Sequence, residues 1–220
     1  MRVVLCYHAV SATWGHRLAL PPDQLLRQVR AVRRYADVHA TFDDAFHSVT
    51  SVLPELRRLG IRTTVFVCTG LADRDGAPLL VPELTTSQAE DLAGLRTLTW
   101  DDLRALAADG TAVGSHTVTH AHLPRLGDDE LARELRESKQ RIEDELARPC
   151  PLLAYPYGEH DARVRAAARA ARYEQAFALR APRGDPFAVP RVDLYRRDNL
   201  VRTVAKTVVK GLIPSGFSAE

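Results

Sequence analysis

The chain has 220 residues, 45% of them hydrophobic and 26% charged, which is enough for a sizeable core in one globular domain over residues 1–220. A formal net charge of +2 is too small to imply nucleic acid, a membrane surface or another polyanion as partner. Lys occurs only at 139, 206 and 210, so 27 of the 30 basic residues are Arg, and they form no single basic run. Cys6, Cys68 and Cys150 are odd in number and widely spaced, which suits neither a disulfide framework nor a zinc knuckle, so all three are read as reduced. No apolar stretch approaches the roughly 20 residues of a membrane span. The opening Met1–Cys6 run is too short for a leader, so the expected location is cytoplasmic. No feature specifies an oligomeric state.

In chain order, short β-rich runs alternate with amphipathic helical stretches, the pattern of an α/β fold with parallel strands. Val3–His8 predicts the first strand and Asp23–Arg34 a helix after Pro21-Pro22. Val38–Phe42 predicts a strand ending in Asp43-Asp44, followed by a helix over Phe46–Leu59. Arg62–Cys68 is rich in β-branched residues and reads as a strand. From Thr69 to Thr97 the pattern weakens into a long connection of the kind that forms lids or substrate-facing loops. Thr99–Ala108 predicts a helix, Thr111–Gly114 a strand, and Asp128–Leu146 a long charged helix with Leu131, Leu135, Ile142 and Leu146 inside. Leu152–Tyr155, Gln175–Leu179 and Phe187–Leu194 predict strands, Asp161–Arg172 and Asn199–Lys210 helices, and 213–220 a frayed tail.

Three polar clusters fall just after strands, the edge at which parallel α/β folds build their sites. In Thr41-Phe42-Asp43-Asp44, adjacent carboxylates cannot both point the same way. One can ligate a cation while the other accepts a proton from a water on it. In Ser115-His116-Thr117-Val118-Thr119-His120, histidines four apart can share one face of a helical turn and reach one metal. His122 reads as a bystander. Leu153-Ala154-Tyr155-Pro156-Tyr157-Gly158 is a turn that can aim a backbone N–H at a developing oxyanion. Each cluster alone is weak, since helix caps, surface histidines and tight turns look the same.

Together, TFDD at 41–44, SHTVTH at 115–120 and YPYG at 155–158 resemble the polysaccharide deacetylase (NodB-homology) family. Tyr7-His8, Val65–Val67, Leu98-Thr99-Trp100 and Pro190-Arg191-Val192 resemble its exopolysaccharide branch. The resemblance implies a distorted or incomplete (β/α) barrel, one divalent metal ion, most commonly zinc, and removal of acetyl groups from N-acetylated sugars or glycoconjugates. It implies Asp44, His116 and His120 as metal ligands, Asp43 as general base and the Tyr157 backbone as oxyanion donor, with Pro156, Gly158 and Arg191 toward the substrate. An amidohydrolase acting on a non-sugar amide and a catalytically impaired carbohydrate-binding relative are the alternatives.

The sequence departs from the family pattern in three places. Ala45 stands where Gly is usual, and Ala154 where an Arg usually tethers the base. No Leu-x-His follows to supply the general acid, which leaves His8, His47 and His160 as candidates. Without a tethering Arg, the expected pKa of Asp43 is higher.

Overall fold

The computed structural model describes residues 2–81, 84, 94–179 and 184–210. Strand β1 (Arg2–Tyr7) opens the chain, and β2 (Ala9–Val10) pairs with β3 (Ala19–Leu20) in a small sheet of its own. Helix α1 (Pro22–Arg33) starts with Pro at its first position, where a missing N–H costs nothing, and buries Leu25, Val29 and Val32. Then come β4 (Asp37–Phe42), α2 (Leu53–Arg58), β5 (Arg62–Val67) and α3 (Thr69–Ala72). Helix α4 (Trp100–Ala108) begins at a Thr99–Asp102 capping box, and β6 (Ala112–Ser115) follows it. The rest is α5 (Asp128–Leu146), β7 (Leu152–Ala154), α6 (Ala162–Ala170), β8 (Gln175–Ala178), β9 (Val189–Pro190), β10 (Val192–Asp193) and α7 (Leu200–Lys210).

Eight strands run in the order β10-β1-β4-β5-β6-β7-β8-β9, and every pairing is parallel. The two edges are consecutive in the chain. Val189 pairs with Phe177 of β8, whereas Val192, three residues on, pairs with Leu5 of β1. One short segment, broken at Arg191, therefore nearly closes the sheet into a barrel. The predicted single strand over Phe187–Leu194 is thus two strands that serve opposite edges.

Both faces of the sheet are covered, as a parallel barrel requires. Outward-facing Val3, Leu5 and Tyr7 join the large core beneath the helices, while Val4, Phe66, Ala154, Phe177 and Val189 form a separate interior cluster. The interior is narrow: a Cβ at Gly114 would stand 2.5 Å from a Phe66 ring carbon. His39 lies inside too, with Nε2 2.8 Å from the Thr64 hydroxyl and its ring edge-on to Phe177. Burial, then the Arg62 and Arg2 charges, push its pKa down to about 3, so it is neutral in the fold.

One expected helix is shorter than its pattern. Phe46–Leu59 resolves into a 3₁₀ turn over His47–Ser51 and then α2, because Pro54 fits only in the first turn of a helix. The predicted tail 213–220 and part of the long 69–97 connection lie outside the described residues. Among the described residues, no helix is long and apolar enough to cross a membrane.

Candidate active site at the barrel mouth

The C-terminal ends of β1, β4 and β6 and the turn after β7 converge on one cleft of about 170 Å³, lined among others by His8, Asp43, Asp44, His116, His120 and Tyr157. The turn after β4 separates the two aspartates. Asp44 and Ala45 are both left-handed, with φ of 66° and 50°, so successive side chains leave in different directions. Ala45 thus occupies a conformation that glycine adopts without cost.

The SHTVTH segment is not a helical turn. Thr117 and His120 have φ of 71° and 62°, and the backbone between them is an irregular loop. Its amides are satisfied from outside: the buried Glu134 carboxylate of α5 accepts from the N–H of Val118 (2.8 Å) and Thr119 (3.0 Å) and from the Thr119 hydroxyl (2.7 Å). Ser115 Oγ accepts from the Thr117 N–H, and Thr117 Oγ1 from the His120 N–H. The two histidines therefore meet through a loop pinned to α5, not through helical spacing. Sequence reasoning missed Glu134, although an acid between Leu131 and Leu135 on the inner face of a helix was a readable signal.

Asp44, His116 and His120 are buried, and one ligand atom from each lies within 4.8 Å of the others. His120 Nε2 is 3.2 Å and His116 Nε2 3.5 Å from Asp44 Oδ1. That oxygen is nevertheless buried without a hydrogen bond among the described residues. His116 Nδ1 lies 2.8 Å from the Ala154 carbonyl, which can only accept, so Nδ1 carries the hydrogen and Nε2 presents its lone pair inward. Three buried donor atoms that converge without satisfying one another fit a divalent cation, and two imidazoles with one carboxylate leave coordination positions open.

Asp43 is held differently, and here the structure corrects two sequence expectations. Arg191 does not line the cleft. It is buried inside the barrel and grips Asp43 with both terminal nitrogens, Nη1 to Oδ1 at 2.6 Å and Nη2 to Oδ2 at 2.7 Å. Arg191 Nη1 also donates to Thr41 Oγ1, and the guanidinium lies over the Phe66 ring. Asp43 is thus tethered by an arginine that lies 148 positions away and reaches it only because the barrel nearly closes there. Burial alone would raise the Asp43 carboxyl, but the Arg191 and then the His116 charges bring it below its ordinary value. The expected higher pKa is overturned. Cys6 adds a weak donor, Sγ to Asp43 Oδ2 at 3.4 Å.

Of the three histidines considered for the acid, only His8 reaches the cleft. It follows β1, and a ring nitrogen lies within 4.8 Å of an Asp43 oxygen. Its Nδ1 is buried without a hydrogen bond among the described residues. Burial lowers its pKa, with Asp44 and then Asp43 pulling the other way. His47 is exposed at the start of the 3₁₀ turn. His160 stacks on Tyr155, and its Nδ1 meets Arg165.

Tyr157 is left-handed (φ 59°) and lines the cleft with Gly158, whereas Pro156 is buried behind them and does not face it. His122 stands outside the converging Asp44, His116 and His120 set, as expected. Its ring lies flat on Tyr157, centroids 3.9 Å apart, and its Nδ1 is 2.9 Å from Glu159, while His120 meets the same Tyr157 ring edge-on. Leu79, Val81 and Leu84 also line the cleft, so described parts of the long connection do face it.

No curated protein matches the chain. Among solved structures, IcaB from Ammonifex degensii is similar at 22% identity with a TM-score of 0.72, covering 93% of this chain and 96% of that one. The Streptococcus pyogenes deacetylase PplD, solved with acetate, is similar at 18% identity and a TM-score of 0.74, over 93% and 96%. BC0361, a polysaccharide deacetylase from Bacillus cereus, is similar at 19% identity and 0.73, over 93% and 68%. At these identities the likeness is one of fold. Residues 33–176, 144 of the 220, match the family described as Polysaccharide deacetylase, a span that holds Asp43, Asp44, His116 and His120 but neither His8 nor Arg191. The chain belongs to the polysaccharide deacetylase family.

Proposed function

We propose that this protein is a divalent-metal-dependent hydrolase that removes acetyl groups from N-acetylated sugars. The observation that carries the reading is the junction of two assemblies in one cleft: the unsatisfied Asp44, His116 and His120 set, and an Asp43 carboxylate fixed by Arg191. A divalent ion on that set, zinc being the best fit to its donors, would polarise the acetyl carbonyl and lower the pKa of a bound water.

The chain's own residues supply the rest. Asp43, ionised and unable to rotate, accepts the proton as water attacks the amide carbon. The backbone N–H of Tyr157 donates to the carbonyl oxygen as it gains negative charge. His8, neutral at rest and beside Asp43, takes the proton that Asp43 gains from the water and passes it to the leaving nitrogen, so that amide and water become acetate and a free amine. Tyr157 and Tyr195 suit a sugar ring, and Arg17 on the same wall suits a negative group attached to it. Arg17 favours a substrate that carries a phosphate, such as a lipid- or nucleotide-linked sugar.

The test separates the neighbouring aspartates. Asp44→Ala should lose bound metal and activity together. Asp43→Asn should keep the metal and lose roughly 10²–10⁴ in turnover, the usual worth of general-base assistance. Because Asp43→Asn strands the buried Arg191 charge, the pair Asp43→Asn/Arg191→Gln should be prepared beside it as a neutral control. Metal analysis and acetate release on the same preparations decide the matter. Metal lost from Asp43→Asn but kept in Asp44→Ala would exchange the roles, and full activity in both would end the mechanism.

A further inference from the structure

Helix α7 is amphipathic the wrong way round for a core helix. It packs against α1 and β10 with Thr203 and Thr207 fully buried, and Thr207 Oγ1 lies 2.5 Å from the Tyr35 hydroxyl. Its apolar side faces out. Among the described residues, six large hydrophobic side chains are exposed. Four of them, Leu200 (43%), Val201 (77%), Val208 (51%) and Val209 (74%), belong to α7, and a fifth, Tyr35, touches it. By helical periodicity Val201, Ala205, Val208 and Val209 share the face opposite the two threonines. Scattered exposed valines are ordinary, but a contiguous helix face is not.

Arginines surround this face. Arg202 on α7, Arg197 just before it, and Arg27 and Arg34 on or beside α1 are all exposed. Arg27, Arg197 and Leu200 line one hollow where the two helices meet. Arg34 falls two turns beyond Arg27, along the flank of the Gln24, Gln28 and Tyr35 row that bonds to the α7 segment. The acids nearby offset part of this: Asp23 is exposed in the first turn of α1, Asp37 is exposed three residues beyond Arg34 but paired with Arg2, and Asp198 is buried and paired with Lys206.

We propose that α7 lies flat on an anionic lipid bilayer, with its valines in the acyl boundary and the flanking arginines on the headgroups. A second copy of the chain fits this surface poorly. A two-fold contact would set the arginine rim against itself, and like charges facing each other across an interface are costly. The net charge of +2 is a sum over the whole chain and does not report where its charges cluster. Tyr195, which lines the catalytic cleft, precedes α7 by five residues, so docking here holds the cleft close to the bilayer. The surface stands independently of the chemistry proposed for that cleft.

The full chain should co-sediment with vesicles of phosphatidylcholine and phosphatidylglycerol, about tenfold or more better than with phosphatidylcholine alone, and added salt should release it. Val201→Glu/Val208→Glu should lower the partition coefficient by about tenfold or more. Its melting temperature and its activity on soluble substrate should not change. Arg27→Gln/Arg34→Gln should weaken binding to the anionic vesicles by roughly fivefold per arginine. If the glutamate pair lowers the melting temperature, this second variant carries the test, since both arginines are exposed and outside the core. Absence of vesicle binding, equal binding to both lipid compositions, or binding unchanged in both variants would overturn the proposal. So would a dimer in lipid-free light scattering that Val201→Glu/Val208→Glu disperses, because the occupant would then be a second copy.

Discussion

At the mouth of the barrel, Asp44 Oδ1, His120 Nδ1 and His8 Nδ1 are buried polar atoms without hydrogen bonds among the described residues, and Asp44, Ala45, Thr117, His120 and Tyr157 are all left-handed. One layer deeper, the barrel interior is apolar and closely filled by Val4, Phe66, Ala154, Phe177 and Val189, with His39 neutral against Thr64. The two regions teach different lessons. The mouth keeps unsatisfied groups and strained backbone, the arrangement of a site that completes itself with a ligand. The interior tolerates polarity only when paired or uncharged. Arg191 and Asp43 span the boundary, with the cation in the interior and the anion on the floor of the mouth.

Breaking that span tests the comparison most severely. Arg191→Leu leaves a buried carboxylate unpaired and should cost about 3–5 kcal/mol in stability, read by denaturant unfolding. The neutral pair Asp43→Asn/Arg191→Gln should recover much of the stability and none of the turnover. If Arg191→Leu were as stable as the parent chain, the pair would not link the two regions.

The interior also makes a prediction about pH. The folded pKa of His39 is near 3, below its ordinary 6.5, so the unfolded chain takes up the proton first as pH falls. Its contribution is therefore fully present above pH 6.5 and is lost progressively between 6.5 and about 3. Between pH 6.5 and 5 this amounts to about 2 kcal/mol. A His39→Gln variant, compared with the parent by unfolding at both pH values, should lack that share of the loss.

Smaller effects come from the loops at the mouth. Glu134→Gln replaces a carboxylate that accepts three hydrogen bonds with an amide whose nitrogen cannot accept. It should cost about 1–3 kcal/mol, as for a buried donor left unpaired, and loosen metal binding through the SHTVTH loop. Calorimetry together with metal titration would separate those two consequences. Smallest of all, Ala45→Gly should be neutral or stabilising by up to about 1 kcal/mol, since it removes the left-handed penalty at φ 50°. A clear loss of stability there would mean that the strain at Ala45 is absent.

How much of this was legible in the chain depends on how local each signal is. The alternation of strands and helices placed β1, α1, β4, β5, α4, α5 and α7 to within a residue or two, because period and capping act over a few neighbours. Asp43, Asp44, His116 and His120 were legible because their short motifs begin at strand ends and keep the residues close together in the chain. Tyr157 and Gly158 reach the cleft as expected, but Pro156 does not, because the turn buries it.

Arg191, Glu134 and the choice of His8 were not legible in the same way. Arg191 pairs with a carboxylate 148 positions away, and nothing near Val189-Pro190 announces that the chain there passes from one sheet edge to the other. Helical spacing gave a wrong geometry for HxxxH, since a buried acid on α5 and two left-handed residues shape that loop instead. The amphipathic period of α7 located the helix but not which face turned inward. Sequence alone determined the local elements, the family motifs and the residue types able to bind a metal. Tertiary structure decided which arginine holds Asp43, which histidine shares its cleft and which side of α7 meets solvent, because those outcomes depend on contacts between elements far apart in the chain, where loop closure and packing override local preference.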